Sequence, residues 1–260
     1  IMEKSVVHLV FNPIEKCPDK EAFLYKVNGE YSGITYREVG QNIERLAAGL
    51  IAYGINPGDR IAILSYNRPE WPVSDFAAFA IHAMTVPVYH TLPPAQIKYI
   101  LKDAGVRAIF VEDQAQLDKI EEIREECPDL AFIFTFSPCR SENLALISWE
   151  TVINRGKEYA TEHPGFLKES MEAIEPDDTC SLVYTSGTTG PPKGVMLHHK
   201  GFVIDIINSE GVFGLYPEDI FLSFLPLSHL YERLGGHWCP LYRGATIAYA
   251  EDITTVIDDI

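Results

Sequence analysis

Between Thr185 and Gly194 the chain reads TSGTTGPPKG: four hydroxyl side chains, three glycines, two prolines and one lysine. Glycine lets backbone N–H groups approach an anion closely, the hydroxyls of Thr185, Ser186, Thr188 and Thr189 can donate hydrogen bonds, and Lys193 adds positive charge. With Gly187 and Gly190 opening the backbone, such a set suits a polyphosphate. It is not the G-x-x-x-x-G-K-[ST] loop, because Pro192 stands where the second glycine belongs and Gly194 follows the lysine. A plain Gly/Ser/Thr linker has a similar composition. The context favours a site, since the stretch interrupts two apolar runs, CSLVY and VML, that both read as buried strands.

No second centre of chemistry is apparent. Cys17, Cys127, Cys139, Cys180 and Cys239 are odd in number and widely scattered, which reads as free thiols in a reducing compartment. The histidines include the adjacent pair His198 and His199 but no HExxH spacing.

The elements around the loop alternate. EAFLY and YSGITY flank Asn28-Gly29, a tight-turn dipeptide, and predict a hairpin. Thr35 to Glu38 spells a capping box ahead of a helix carrying Val39, Ile43, Leu46 and Leu50, with Gly54 placed to stop it. Strands DRIAILS, TVPVY, RAIFVE and LAFIFTF then alternate with helices, one opened by Pro69 and others reading PPAQIKYILKDAG and QAQLDKIEEIREE. A more irregular stretch follows, with a helix over roughly 149–161. After EPDD come strand TCSLVY, the polar loop, strand GVML, a helix from about His199, strand FLSFLPL, a helix containing LYERLGG, and strand ATIAYAE. Short apolar strands separated by helices predict an α/β fold of mostly parallel β-sheets flanked by helices. The expected division is a first α/β subdomain over about 1–175 and, over about 176–260, the start of a second that carries the loop.

Composition sets further bounds. A net charge of −16, from 37 acidic and 21 basic residues, opposes nucleic-acid backbones, so no nucleic acid is expected as a partner. FAAFAIHAMTVPVY is the most apolar stretch, and His82 and Pro87 interrupt it short of a membrane span. The expectation is a cytoplasmic protein with no transmembrane segment.

The stretch Ser186 to Val195 resembles the signature loop of the AMP-forming adenylating enzymes, [ST]-S-G-[ST]-T-G-x-P-K-G. TYREVGQNIERLAAGL, VPVYHTLPPAQIKYILKDAGVRAIFVED and the block PLSHLYER are similar to the long-chain acyl-CoA synthetase branch. The likeness runs from about Thr35 to the last residue and is weakest between about Ser137 and Pro176. It implies ATP, Mg²⁺ and coenzyme A as cofactors or co-substrates and a fatty acid as substrate: the carboxylate attacks the α-phosphate, pyrophosphate leaves, and the thiol of coenzyme A takes the acyl group.

By the same resemblance, Thr185 to Lys193 grip the β- and γ-phosphates and Thr188 contributes to the Mg²⁺ environment. His229 falls beside the acyl and α-phosphate pocket as the candidate catalytic residue, with a helix-start packing role as the alternative. Glu232 and Arg233 either reach the site or pair with each other. His199 matches a family histidine, while His198 replaces a small hydroxyl residue. Trp238, Phe202 and Phe213 read as core.

Enzymes of this family are much longer. The later Y-G-x-T-E block, the ribose-binding aspartate, the hinge and the small C-terminal domain with its lysine have no counterpart here, so the chain is expected to be an N-terminal fragment, inactive alone. Its unpartnered sheet edges lead to an expectation of self-association, and the full-length enzyme could touch a membrane peripherally. Two other readings stand beside this one: a different carboxylate-adenylating ligase, or a non-catalytic module that binds nucleotide or acyl chains.

Overall fold

The computed structural model describes residues 3–185, 190–251 and 254–259. The chain opens with helix α1 (Val6–Lys16), then strands β1 (Glu21–Val27) and β2 (Glu30–Thr35) and helix α2 (Tyr36–Ala52). The β1–β2 turn has the left-handed backbone expected of Asn28 and Gly29, with φ of 54° and 83°. Thr35 and Glu38 form both halves of the capping box at the start of α2. Next come β3 (Arg60–Leu64), α3 (Glu70–Ala80), β4 (Met84–Val88), α4 (Pro94–Asp103), β5 (Val106–Val111), α5 (Gln114–Ile123) and β6 (Phe132–Thr135). They are followed by β7 (Leu146–Ser148), α6 (Trp149–Glu162), α7 (Phe166–Glu172), β8 (Thr179–Thr185), β9 (Lys193–His198), α8 (His199–Phe213) and β10 (Ile220–Ser223). A π-helix (Glu232–Trp238), α9 (Cys239–Arg243), β11 (Thr246–Tyr249) and α10 (Val256–Asp259) complete the order.

Seven strands form one sheet in the order β7-β6-β5-β3-β4-β8-β9, and four form another, β10-β11-β1-β2. Pairing is parallel except for β1–β2 and β8–β9. The α/β class expected from the alternation is therefore what the structure shows.

Alternation along the central strands explains their continuous apolar character. Ile61, Ile63, Ala108 and Phe110 face a core shared with Leu46 and Leu50 of α2 and Phe76 and Phe79 of α3. Ala62, Leu64, Ile109 and Val111 face the opposite core with Ile97 of α4 and Leu117 of α5. A strand buried on both faces has no polar side to display.

The sheets do not divide near residue 175. β8 and β9 extend the sheet of β3–β7, and β1 and β2, from the beginning of the chain, pair beside β11. Strand order across a sheet is set by which edges meet in space, and local pattern carries no trace of that. α1, β7 and α7 also lie outside the segments whose periodicity announces an element. Among the described residues, no helix is long and apolar enough to cross a membrane.

Candidate active site

The polar loop joins the hairpin β8–β9. Thr85 of β4 pairs in parallel with Ser181, and the hairpin register ends on Thr185 opposite Lys193. The loop therefore leaves the carboxyl end of a strand in a mostly parallel sheet, where ligands of such sheets bind. Ser186, Gly187, Thr188 and Thr189 lie outside the described residues. Thr185 and Lys193 are both exposed at the mouth of the hairpin. Gly190 has φ of 91°, and a Cβ there would meet nothing within 4 Å among the described residues.

The expectation that both flanking strands are buried fails for β9. It is the last strand of its sheet, and Val195 and Met196 are 43% and 63% exposed. Nothing among the described residues covers that edge, so its apolar residues stay at the surface. The loop is held from the other side by α4. Tyr99 Oη donates to the Pro192 carbonyl at 3.0 Å, and Tyr184 Oη donates to Asp103 at 2.6 Å. Gly194 fits closely beneath this clamp, since a Cβ would sit 3.0 Å from the Tyr184 ring and push it by a few tenths of an ångström.

His229 arrives from the second sheet, on the turn between β10 and the π-helix. Its backbone N–H donates to the Pro226 carbonyl at 2.8 Å. Its Nδ1 accepts the Tyr231 N–H at 3.1 Å, which leaves Nε2 to carry the ring proton. The exposed imidazole lines a cavity of about 490 Å³ together with Thr185, Tyr184, Pro192, Tyr89, Leu92, Gln96 and Ile100. The structure thus brings the hairpin of the polar loop and His229, 44 positions after Thr185 in the sequence, onto one mostly apolar cavity. Immediately before His229, the Ser228 hydroxyl is 2% exposed and has no hydrogen-bond partner among the described residues.

Glu232 and Arg233 neither reach this cavity nor pair with each other. Arg233 is 1% exposed; its Nε donates to Asp75 Oδ2 at 2.9 Å, and its Nη2 contacts the other Asp75 oxygen. Ser181 and Thr85 accept at 2.8 and 2.7 Å, and the guanidinium lies against Trp71, Phe79 and Trp238. Burial pushes the Asp75 carboxyl up from its usual range, while the charge and hydrogen bonds of Arg233 pull it back. Glu232 accepts from Ser223 at 2.9 Å, and its carboxylate occupies the space a Cβ on Gly236 would need. A π-helix is rare and concentrates at functional sites; this one starts three residues after His229.

Trp238 and Phe202 are core, packed edge to face at 4.8 Å, whereas the side chain of Phe213 is not described. His199 is buried against Phe79 far below the loop end of the hairpin, and burial takes its pKa down to about 4. Sequence reasoning missed Asn67, which holds the segment leading to His229, and Tyr99, which holds the loop. Asn67 follows the end of β3 and Tyr99 sits in α4, but their partners are more than 90 positions away in the chain.

Residues 10–260 match the family described as AMP-binding enzyme, and the chain belongs to that family. It is 31% identical over 240 residues to "Long chain acyl-CoA synthetase 7, peroxisomal" of Arabidopsis thaliana, covering 89% of this chain and 33% of that protein. It is 29% identical over 258 residues to the long-chain-fatty-acid–CoA ligase FadD15 of Mycobacterium tuberculosis, covering 97% of this chain and 41% of the relative. The chain therefore spans a third to two fifths of these curated relatives. Among solved structures, the anthranilate CoA ligase AuaEII in complex with anthranoyl-AMP superposes with a TM-score of 0.84 at 24% identity, over 100% of this chain and 47% of that one. The N-terminal domain of FACL13 from Mycobacterium tuberculosis gives 0.79 at 22% identity, over 99% and 60%. Both solved structures speak to the fold.

Proposed function

We propose that the protein carrying this chain is an ATP-dependent, AMP-forming ligase that activates a fatty carboxylate and transfers it to coenzyme A. The observation that carries this reading is the convergence of Thr185 and His229 on one cavity at the carboxyl ends of β4 and β8. The curated relatives described above, long-chain acyl-CoA synthetases and ligases, support a long-chain fatty acid as the substrate class.

A polyphosphate fits the hairpin mouth, where an exposed hydroxyl, an exposed lysine and a glycine in left-handed geometry stand together. Thr185, Ser186, Gly187, Thr188, Thr189, Gly190 and Lys193 are proposed to hold the β- and γ-phosphates. Mg²⁺ is proposed to enter on those phosphates, with the Thr188 hydroxyl, a hard oxygen, beside it. The carboxylate oxygen then attacks the α-phosphorus, and the bridging oxygen leaves with its electron pair as pyrophosphate. His229 Nε2–H and the unpartnered Ser228 hydroxyl supply donors where negative charge gathers. In the second step the thiolate of coenzyme A attacks the acyl carbonyl and AMP leaves.

The five free thiols fit a reducing, cytoplasmic setting. Exposed Val195 and Met196 on edge strand β9 and Ile220, 66% exposed on edge strand β10, support self-association of the isolated chain. A clean monomer by light scattering at high concentration would remove that part of the reading.

Replacing His229 tests the assignment. H229A is expected to lower the adenylation rate about 10²-fold or more while the fold is kept, as for removal of a transition-state hydrogen-bond donor. An H229A rate within a factor of two of wild type (roughly 0.4 kcal/mol) would contradict the role.

A further inference from the structure

Asn67 stands three residues beyond the end of β3, between the two sheets, and is 6% exposed. Its amide is spent entirely on the opposite sheet. Nδ2 donates to Ser223 Oγ at 2.9 Å and to the Leu225 carbonyl at 2.6 Å, and Oδ1 accepts the Leu227 N–H at 2.8 Å. Two donors and one acceptor on a flat, short side chain match only asparagine. A carboxylate lacks the donors, and an apolar side chain of similar shape would strand the buried Leu227 N–H and free the Leu225 carbonyl and Ser223 Oγ from the link.

The residues that Asn67 grips adjoin the turn that carries His229. Leu225 and Leu227 flank Pro226, whose carbonyl accepts the His229 N–H at 2.8 Å. Ser223, held by Asn67, donates onward to Glu232 at 2.9 Å, at the start of the π-helix. The far side of the turn is fixed as well, since the His229 carbonyl accepts the Arg233 N–H at 3.1 Å and Arg233 is bound to Asp75. His229 is itself exposed, and among the described residues its ring is bonded only by the local Tyr231 N–H. Its position is thus inherited from a frame that Asn67 ties to the end of β3 by three hydrogen bonds, beside a longer one from Tyr66 Oη to the Phe224 carbonyl at 3.5 Å.

We propose that Asn67 is a positioning residue for adenylation: it fixes the Leu225–Leu227 turn so that the His229 imidazole is presented to the cavity below the phosphate loop. The role rests on the reading of His229 given above. It differs from that of a structural cross-link because its loss should be felt in the rate of the chemical step and in the state of one imidazole, while ATP binding at the hairpin mouth is held independently through α4.

The test uses the protein that carries this chain. Single-turnover adenylation, KM for ATP and the ring ¹⁵N shifts of His229 are measured for wild type, N67A, N67D, H229A and the N67A/H229A double variant. N67A is expected to slow adenylation about 10- to 100-fold, the range a displacement of about 1 Å produces, with KM for ATP unchanged. The ring signal, in the Nε2–H tautomer in wild type, is expected to become a mixture. The double variant should be no slower than H229A. N67D, which carries the test if N67A does not fold, should be slow at neutral pH and recover as the pH falls and the new carboxyl gains a proton to donate to Leu225. A wild-type rate and ring signal in N67A, or a loss that multiplies onto H229A, would overturn the proposal. Full activity in H229A would instead overturn the reading of His229, and the ring signal alone would then decide whether Asn67 sets that imidazole.

Discussion

Removing the charge of Asp75 is expected to destabilise the protein severely. Asp75 and Arg233 are 0% and 1% exposed, on α3 and on the π-helix that follows His229, so the pair ties these two elements together. In D75N the guanidinium keeps Ser181, Thr85 and its three aromatic neighbours. None of these neutralises a buried positive charge. Breaking a buried pair from one side costs about 3–5 kcal/mol, because the remaining ion is left uncompensated. At about 2–4 °C per kcal/mol for a chain of this size, Tm should fall by about 6–20 °C. Thermal and urea unfolding followed by tryptophan fluorescence would read this, as Trp71 and Trp238 both lie against the guanidinium. A D75L/R233M double variant should lose less than D75N, since apolar replacement of both ions removes the stranded charge. A D75N variant within about 1 kcal/mol of wild type, the range of an exposed pair, would refute the reasoning.

Acid should also unfold the protein early. Burial lowers His199 to about 4 and His237 to about 3, from an ordinary 6.5. Both stay neutral in the fold but gain protons when unfolded, so stability is full above about pH 6.5 and falls towards pH 4, by about 1.4 kcal/mol per pH unit for each. Denaturation midpoints measured between pH 7 and 4.5 should show this slope, reduced in H199F; a flat profile would contradict it. G156A should cost about 3 kcal/mol or more in the same unfolding assays, because a Cβ there would fall 1.7 Å from the Arg45 carbonyl and force α2 and α6 apart. Unchanged stability in G156A would mean that the helices are not packed backbone to backbone.

Much of this was legible locally. The Asn28-Gly29 turn, the Thr35 capping box and the central strands are decided by residues within a few positions of one another, and the structure has them where the pattern puts them. The polar loop stood out because its residue types are unusual between strands. The exposure of β9 was not, because VML looks apolar whether or not a neighbour covers it. The partners of Arg233 were hidden for a related reason: Glu232 is adjacent in sequence, but the preferred carboxylate lies 158 positions earlier. Asn67, beside a strand end, carried a weak positional signal, and only the three-dimensional meeting of β3 with the β10 turn gives it a role.

The most direct test of the account is isotope exchange between pyrophosphate and ATP, catalysed by the protein that carries this chain, with and without a long-chain fatty acid. Exchange should depend on the fatty acid and fall about 10²-fold in K193M and in H229A, the size expected for losing a preorganised charge or donor. Exchange indifferent to the carboxylate, or unaffected by either substitution, would contradict it.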